Sequence, residues 1–361
     1  MQNEVDIPTK HDKKPWKKIL LFLLFIAINA VVITITAVSE FGNSENAAQL
    51  SEVRINWWLL IPAAICFAVA IIIEIDKYRL MMCGVSEKEA FKKGEDWKIA
   101  RRTVILGRYY DNITPAAIGG QPFQIYYLHK TGGLPTGIAS AVSIFGMISI
   151  QIAFILIALF CFIFSSLAQE NAALLITALL GLLFYAFWPF MMFMALFFPK
   201  ATTKIITLFV RLLAKFKLVK DREKAINKTE EGVKDYVHAI KIILKRRGLF
   251  LKAILMSLVF NCLVAMIPWF VLTAFGGDVN FFSSFALTIA VMSAVYFIPT
   301  PGNSGAAEGT FYMVFSALST GYVFWAMLAW RFFSYYIYLI MGLITYSVMQ
   351  LEKKRGKAKQ G

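Results

Sequence analysis

Charge and histidine are scarce in this sequence, and each scarcity excludes a class of function. Only 16% of the 361 residues are charged against 58% hydrophobic, a balance that no soluble globular surface keeps in solution. The three histidines, His11, His129 and His238, are far apart, and no H-E-x-x-H helix, Walker loop or G-x-S-x-G elbow occurs. The four cysteines, Cys66, Cys83, Cys161 and Cys262, are dispersed, which excludes a disulfide scaffold and a Cys/His cluster. No metal and no cofactor is therefore expected; Gly119-Gly120 is not a dinucleotide fingerprint, because no strand precedes it. Acidic residues are also few, 22 against 37 basic ones, giving a net charge of +15. In a soluble protein that excess points to nucleic acid; here the reading is an unequal division of Lys and Arg between the two sides of a bilayer, with no nucleic-acid partner.

What is abundant is long apolar runs. A helix rising 1.5 Å per residue crosses a core of about 30 Å in roughly 20 apolar residues. Six runs qualify: Ile19 to Val38, Trp57 to Ile73, Ile138 to Leu167, Asn171 to Phe198, Ala253 to Gly276, and Gly321 to Met349, the last carrying one charge, Arg331. Two further apolar stretches are broken. Thr103 to Leu128 contains Arg108 and Asp111 and is divided by Pro115 and Gly119-Gly120; Phe281 to Thr320 is divided by Pro299-Thr300-Pro301-Gly302. The first run follows Lys13, Lys14, Lys17 and Lys18 but is too long for a signal-peptide core, so it reads as a retained first helix.

Of the 37 Lys and Arg residues, 33 fall in segments that alternate onto one side of these runs, including the stretches Lys77 to Arg102 and Lys200 to Arg247. Arg54 is left for the other side, with Glu40, Glu45, Glu52, Glu170 and Asp278. The positive-inside rule then places both termini in the cytoplasm. Parity requires the first broken stretch to leave from and return to the cytoplasm and the second to do the same from the outer face. Each half of the chain reads helix, helix, broken hairpin, helix, in opposite orientation. The expected fold is an all-α polytopic membrane protein with six spanning helices and two broken or re-entrant hairpins in an inverted-topology repeat. Its repeats cover about 19–167 and 171–349, between tails 1–18 and 350–361, with a cytoplasmic basic segment at 200–249. The arms of the second hairpin are long enough in sequence either to cross or to re-enter. Within the basic segment Ile226, Val233, Val237, Ile240 and Leu244 recur at helical spacing, which fits a helix lying on the inner leaflet or one packing on its own domain.

Unpaired backbone groups in hydrocarbon cost several kcal/mol each, so proline and glycine breaks at membrane depth survive only where they line a cavity or are buried in protein. The breaks share a short string, Thr114-Pro115 to Gly119 in one and Thr300-Pro301 to Gly305 in the other. Candidate lipid-binding or transport residues are therefore Arg108, Asp111, Asn112, Pro115, Gly119 and Gly120 in the first hairpin. In the second hairpin and the last helix they are Pro299, Pro301, Gly302, Gly305, Glu308 and Arg331. An intramembrane charge costs about 2.5 to 3.5 kcal/mol even on the lenient insertion scale, so these few should be paired and functional. Glu308 and Arg331 are the expected pair, with phosphate binding by Arg331 as the alternative. Arg108 and Asp111, at i and i+3, either serve a site or neutralise each other. Glu74 and Asp76, at the end of the second run, are further candidates or simply interfacial. Trp16, Trp57, Trp58 and Trp97 fit an interfacial belt.

The string Arg108-Tyr-Tyr-Asp-Asn-Ile-Thr-Pro115, followed by Gly119-Gly120-Gln-Pro-Phe-Gln-Ile-Tyr-Tyr, resembles the arginine and N-x-x-P-x-x-x-G-G signature of the transmembrane domain of bacterial lysylphosphatidylglycerol synthase/flippases. Pro299-Thr-Pro-Gly-Asn-Ser-Gly-Ala-Ala-Glu308 is similar to the same family's P-x-P-G-x-x-G-x-x-E, with Asn303 where the family has a second glycine. The resemblance implies movement of aminoacylated or otherwise modified phospholipid between the leaflets of the bacterial cytoplasmic membrane. In the best-known members it also implies resistance to cationic antimicrobial peptides. Two-domain members add a soluble transferase domain, whereas this sequence ends at Gly361, so lysyl transfer to phosphatidylglycerol by this chain alone is not expected. The alternatives are a membrane component of lysylphosphatidylglycerol synthesis, of phosphatidylglycerol lysyltransferase type, and a scaffold for a separate synthase. The partner expected in every case is a membrane phospholipid, anionic or aminoacylated.

Overall fold

The computed structural model describes residues 54–85, 94–114, 119–165, 172–198, 245–296, 300–317 and 322–358, with isolated positions elsewhere. Pro115, Pro299, the first apolar run apart from Thr34 and Val38, and the amphipathic stretch from Asp221 to Leu244 apart from Lys241 lie outside them. Among the described residues the fold is helical without a strand. A 3-10 turn, Trp57–Leu59, leads into α1 (Leu60–Val85), followed by α2 (Glu95–Ile113), α3 (Gly120–Lys130) and α4 (Thr136–Phe164). Then come α5 (Ala172–Tyr185), α6 (Phe187–Phe197), α7 (Arg247–Ala274) and α8 (Phe281–Val295). A 3-10 turn, Pro301–Asn303, precedes α9 (Ala306–Ser316), α10 (Val323–Arg331), a π-helical turn Phe332–Tyr336 and α11 (Ile337–Ala358).

Among the described residues five stretches are long and apolar enough to cross a membrane, and each contains or overlaps one of the runs expected from the sequence: Trp57–Val85, Thr136–Phe164, Ala172–Met191, Arg247–Ala274 and Val323–Glu352. Their ends depart from expectation for local reasons. The second run stops at Ile73 on hydropathy, yet α1 continues to Val85, because Glu74 and Lys77 point into protein, not lipid. The run from Asn171 is interrupted at Ala186, four residues after Leu182 and three before Pro189, whose missing N–H and bulky ring cannot continue the α5 ladder through Tyr185. Neither arm of the second hairpin forms a crossing helix: α8 has 15 residues and α9 has 11, below the roughly 20 needed.

Helix α1 packs on α7, α4 and α2, and α7 also touches α8 and α10, so α1 and α7 form the axis of the bundle. One end is fixed where the amide of Asn56 donates to the Ala274 carbonyl (2.7 Å) and that of Tyr322 to the Phe275 carbonyl (3.0 Å). Helix α8 starts near this end: Asn280 caps it by accepting from the Phe282 amide (2.9 Å), and the Trp269 indole donates to the Val279 carbonyl. At the opposite end Arg79 of α1 holds Asp96 of α2 (2.5 Å), and Arg102 of α2 holds Glu352 of α11 (2.8 Å). The hairpin α2–α3 therefore enters from one end of the bundle and α8–α9 from the other. Their breaks meet inside, where α2 packs against the turn Pro301–Asn303.

Candidate functional site

The second break is a sequence of unusual backbone conformations closed by side chains. Gly302, Asn303 and Gly305 all have positive φ (58°, 53° and 85°). A Cβ on Gly302 would overlap the Tyr335 ring, so glycine is required there twice over, by conformation and by contact. Asn303 is the one non-glycine residue with positive φ among the described residues, and asparagine is among the few side chains that tolerate the left-handed region. The turn leaves carbonyls and amides without helical partners. Arg331 reaches into it, donating from Nη2 to Ser304 Oγ (2.8 Å) and the Gly302 carbonyl (3.2 Å), and from Nε to Glu308 Oε1 (2.6 Å). The other oxygen of Glu308 accepts from the Gly305 amide (2.6 Å), satisfying an orphan donor at the start of α9. Tyr335 covers the guanidinium plane at 4.6 Å. The side chains of Arg331 and Glu308 are 4% and 2% exposed. Every charge here is paired and sealed.

The first break is built differently. Thr114 donates to the Tyr110 carbonyl (2.7 Å) and accepts from the Gly119 amide (2.9 Å), so one hydroxyl closes the end of α2 onto the start of α3. Asp111 Oδ1 accepts from the Gly120 amide (2.8 Å), and a Cβ on Gly120 would collide with that carboxylate. Arg108 donates from Nη2 to Glu74 Oε1 (2.9 Å) and from Nε to Oε2 (3.3 Å), a two-pronged pair between α2 and α1. Glu74 is 4% exposed and Arg108 29%. Phe260 of α7 lies 5.3 Å from the guanidinium, and Tyr296 and Tyr338 stand within the field of its charge. Tyr185 stacks on Tyr296 at 4.3 Å and hydrogen-bonds to it. One edge of Arg108 thus remains open while Glu74 fixes the other.

One helical turn beyond Glu74, Lys77 is 1% exposed. Its Nζ donates to the Gly146 carbonyl (3.1 Å) and to Ser257 Oγ (3.2 Å); Ser257 in turn donates to Ser149 Oγ (3.1 Å). Asn261 completes this polar seam between α1, α4 and α7 by donating to the Ile150 and Ser257 carbonyls. Lys77 makes no ion pair among the described residues.

The structure therefore joins Glu308 to Arg331, as their sequence positions suggested, and ties Gly302 and Gly305 to the same clasp. It does not make Arg108 and Asp111 mutual partners: Arg108 turns to Glu74 and Asp111 to the backbone of Gly120. Glu74 is an interior residue, whereas Asp76 sits on the surface with Arg79 (3.5 Å). Asn112 is partly exposed at the end of α2, and Pro301 opens the 3-10 turn. Two basic residues assigned by position to a charged loop, Lys77 and Arg102, are buried, because a helix carries charge inward where polar partners wait. Lys77 was detectable only through its i, i+3 spacing from Glu74.

Residues 19–342 match the family described as the lysylphosphatidylglycerol synthase TM region, and the chain belongs to that family. No curated protein and no solved structure matches it.

Proposed function

We propose that this membrane protein translocates phospholipid between leaflets, with the open edge of Arg108 receiving the headgroup phosphate. The observation that carries the reading is the inequality of the two buried arginines: Arg331 is 4% exposed and bonds Glu308, Ser304 and the Gly302 carbonyl, while Arg108 bonds Glu74 and is 29% exposed beside the meeting point of two helix breaks. A guanidinium fixed along one edge by a carboxylate presents its remaining N–H groups in a rigid fork suited to phosphate. Asp111, held in place by Gly120, stands near enough to answer a cationic group on the same headgroup, which fits an aminoacylated lipid. Arg331 and Glu308 hold the second break in shape, and the glycines let the backbone turn where side chains would clash.

The wider frame of the proposal is a membrane domain over 19–349 in the bacterial cytoplasmic membrane. It has both termini cytoplasmic and two opposed repeats alternating around the central breaks. Entry of the hairpins from opposite ends of the bundle supports it. In a cell such transport would contribute to resistance against cationic antimicrobial peptides by changing outer-leaflet charge. The family description favours one further reading, in which the chain is the membrane part of a lysylphosphatidylglycerol-forming system that works with a separate synthase.

The test is translocation of fluorescent phospholipids in liposomes containing the purified protein, with zwitterionic, anionic and aminoacylated headgroups. Accelerated translocation that Arg108→Gln removes is the expected result. A wild-type rate equal to protein-free liposomes for all headgroups would reject transport by this chain, and covalent change in the lipid would move the assignment to the synthase reading.

A further inference from the structure

A phosphate on the open edge of Arg108 makes that one cation the partner of two anions, and Glu74 is too deeply buried to share its counter-charge. A second cation must be at hand. The groups that face this position are few. On α1, Lys77 follows Glu74 at i+3 and so shares its helix face, and Tyr78 sets its ring 5.5 Å from the Lys77 ammonium. From α2 come Arg108 itself and Asp111, the latter bound to Gly120, and from α5, the end of α8 and α11 the phenols of Tyr185, Tyr296 and Tyr338 stand in the field of the pair. From α4 and α7 Lys77 meets only neutral partners, the Gly146 carbonyl, Ser149, Ser257 and Asn261. The charges acting on Lys77 are those of Glu74 and Arg108.

We infer that Lys77 is a proton-binding counter-ion site: it takes up a proton and pairs with Glu74 when Arg108 engages the lipid phosphate, coupling headgroup binding to proton uptake. With the site empty, the Glu74–Arg108 pair is complete and Lys77 rests among neutral acceptors, where its amine and ammonium forms are both accommodated; a lysine can exchange its proton there and an arginine cannot. With phosphate bound, Arg108 neutralises the phosphate, and a buffer acid in the surrounding water gives one proton to the Nζ lone pair, its conjugate base staying in solution, so that the ammonium neutralises Glu74. One N–H bond forms and one bond from the proton to the buffer acid breaks. On release the order reverses and the proton is returned. In a membrane the uptake and release steps can face opposite sides, so the same exchange would link transport to a proton gradient.

The inference rests on the reading of Arg108 as the phosphate ligand, and the experiment separates the two. Binding of a short-chain phosphatidylglycerol to the purified full chain in detergent is measured calorimetrically across the neutral to mildly alkaline range, in buffers of different ionisation enthalpy, which gives protons taken up per lipid. Wild type should take up a fraction of a proton that changes with pH. Lys77→Arg, permanently charged, should bind with no proton uptake. Lys77→Met should bind at least tenfold more weakly, and Glu74→Gln combined with Lys77→Met should recover that loss, because no anion is left to neutralise. The double variant also shows that the single one failed for want of a counter-ion and not of a fold. Zero uptake in wild type at every pH, uptake unchanged in Lys77→Arg, or additive losses in the double variant would each overturn the proton site while leaving phosphate binding by Arg108 intact. No binding by wild type, or binding unaffected by Arg108→Gln, would overturn both.

Discussion

The two broken hairpins use the same ingredients, a proline and glycine turn, an arginine and a glutamate, to opposite ends. In α8–α9 the pair is 4% and 2% exposed, and the arginine also holds Ser304 and the Gly302 carbonyl. At the α2–α3 break the glutamate comes from α1 and is 4% exposed, but the arginine is 29% exposed and makes no further hydrogen bond among the described residues. An enclosed pair braced by further bonds to the turn stabilises one backbone geometry; a pair open on one edge keeps bonding capacity for a ligand. Charge at membrane depth therefore marks importance but not role. Role is read from what remains unsatisfied.

The comparison is broken most forcefully at the sealed pair. Arg331→Gln strands Glu308 as a buried anion and orphans the Gly302 carbonyl, and the loss of stability should be about 3 to 5 kcal/mol. Thermal unfolding in detergent, read by fluorescence-detected size exclusion, should show it as a collapse of the monodisperse peak; an unchanged midpoint would mean that the pair is not what holds the turn. Gly302→Ala adds a Cβ at φ 58° against Tyr335 and should cost about 1 to 3 kcal/mol in the same assay. Gly120→Ala tests the open hairpin instead. It pushes the Asp111 carboxylate away from its amide, so translocation of an aminoacylated lipid should fall more than that of an uncharged analogue, while stability drops by about 1 kcal/mol. Equal effects on both lipids would remove Asp111 from headgroup selection.

The smallest effect lies at the charged end of α2. Arg79 beside Asp96 holds that carboxyl below the usual carboxylate range. A depressed carboxylate adds stability that is present above its unfolded value and is lost as pH falls through the folded one. Stability of wild type should therefore decline in that acid window more than stability of Asp96→Asn, by less than about 1 kcal/mol because Arg79 is half exposed. Identical acid profiles would show that α1 and α2 are not tied there.

Much of the fold was legible because hydropathy and lysine placement are collective signals: the five long apolar helices among the described residues, the two breaks and the entry of the hairpins from opposite ends follow from them. Individual partners were less legible. Glu308 and Arg331 could be paired because few other charges lie in their segments. Glu74 and Lys77 were obscured by the neighbouring surface charges Asp76 and Arg79, since a window that counts charge does not know which side of a helix faces protein. The π-helical turn after Arg331 has no sequence mark at all. It follows from packing that brings Tyr335 over both Gly302 and the guanidinium.

The most direct measurement sets Arg108→Gln beside Arg331→Gln, with lipid translocation expressed per folded molecule. The account predicts that Arg108→Gln yields folded, monodisperse protein whose translocation falls to the protein-free background. Arg331→Gln should yield little folded protein, but that fraction should translocate at the wild-type rate. A folded Arg108→Gln that moves lipid normally, or a folded Arg331→Gln that moves none, would contradict the division between an open site and a sealed clasp.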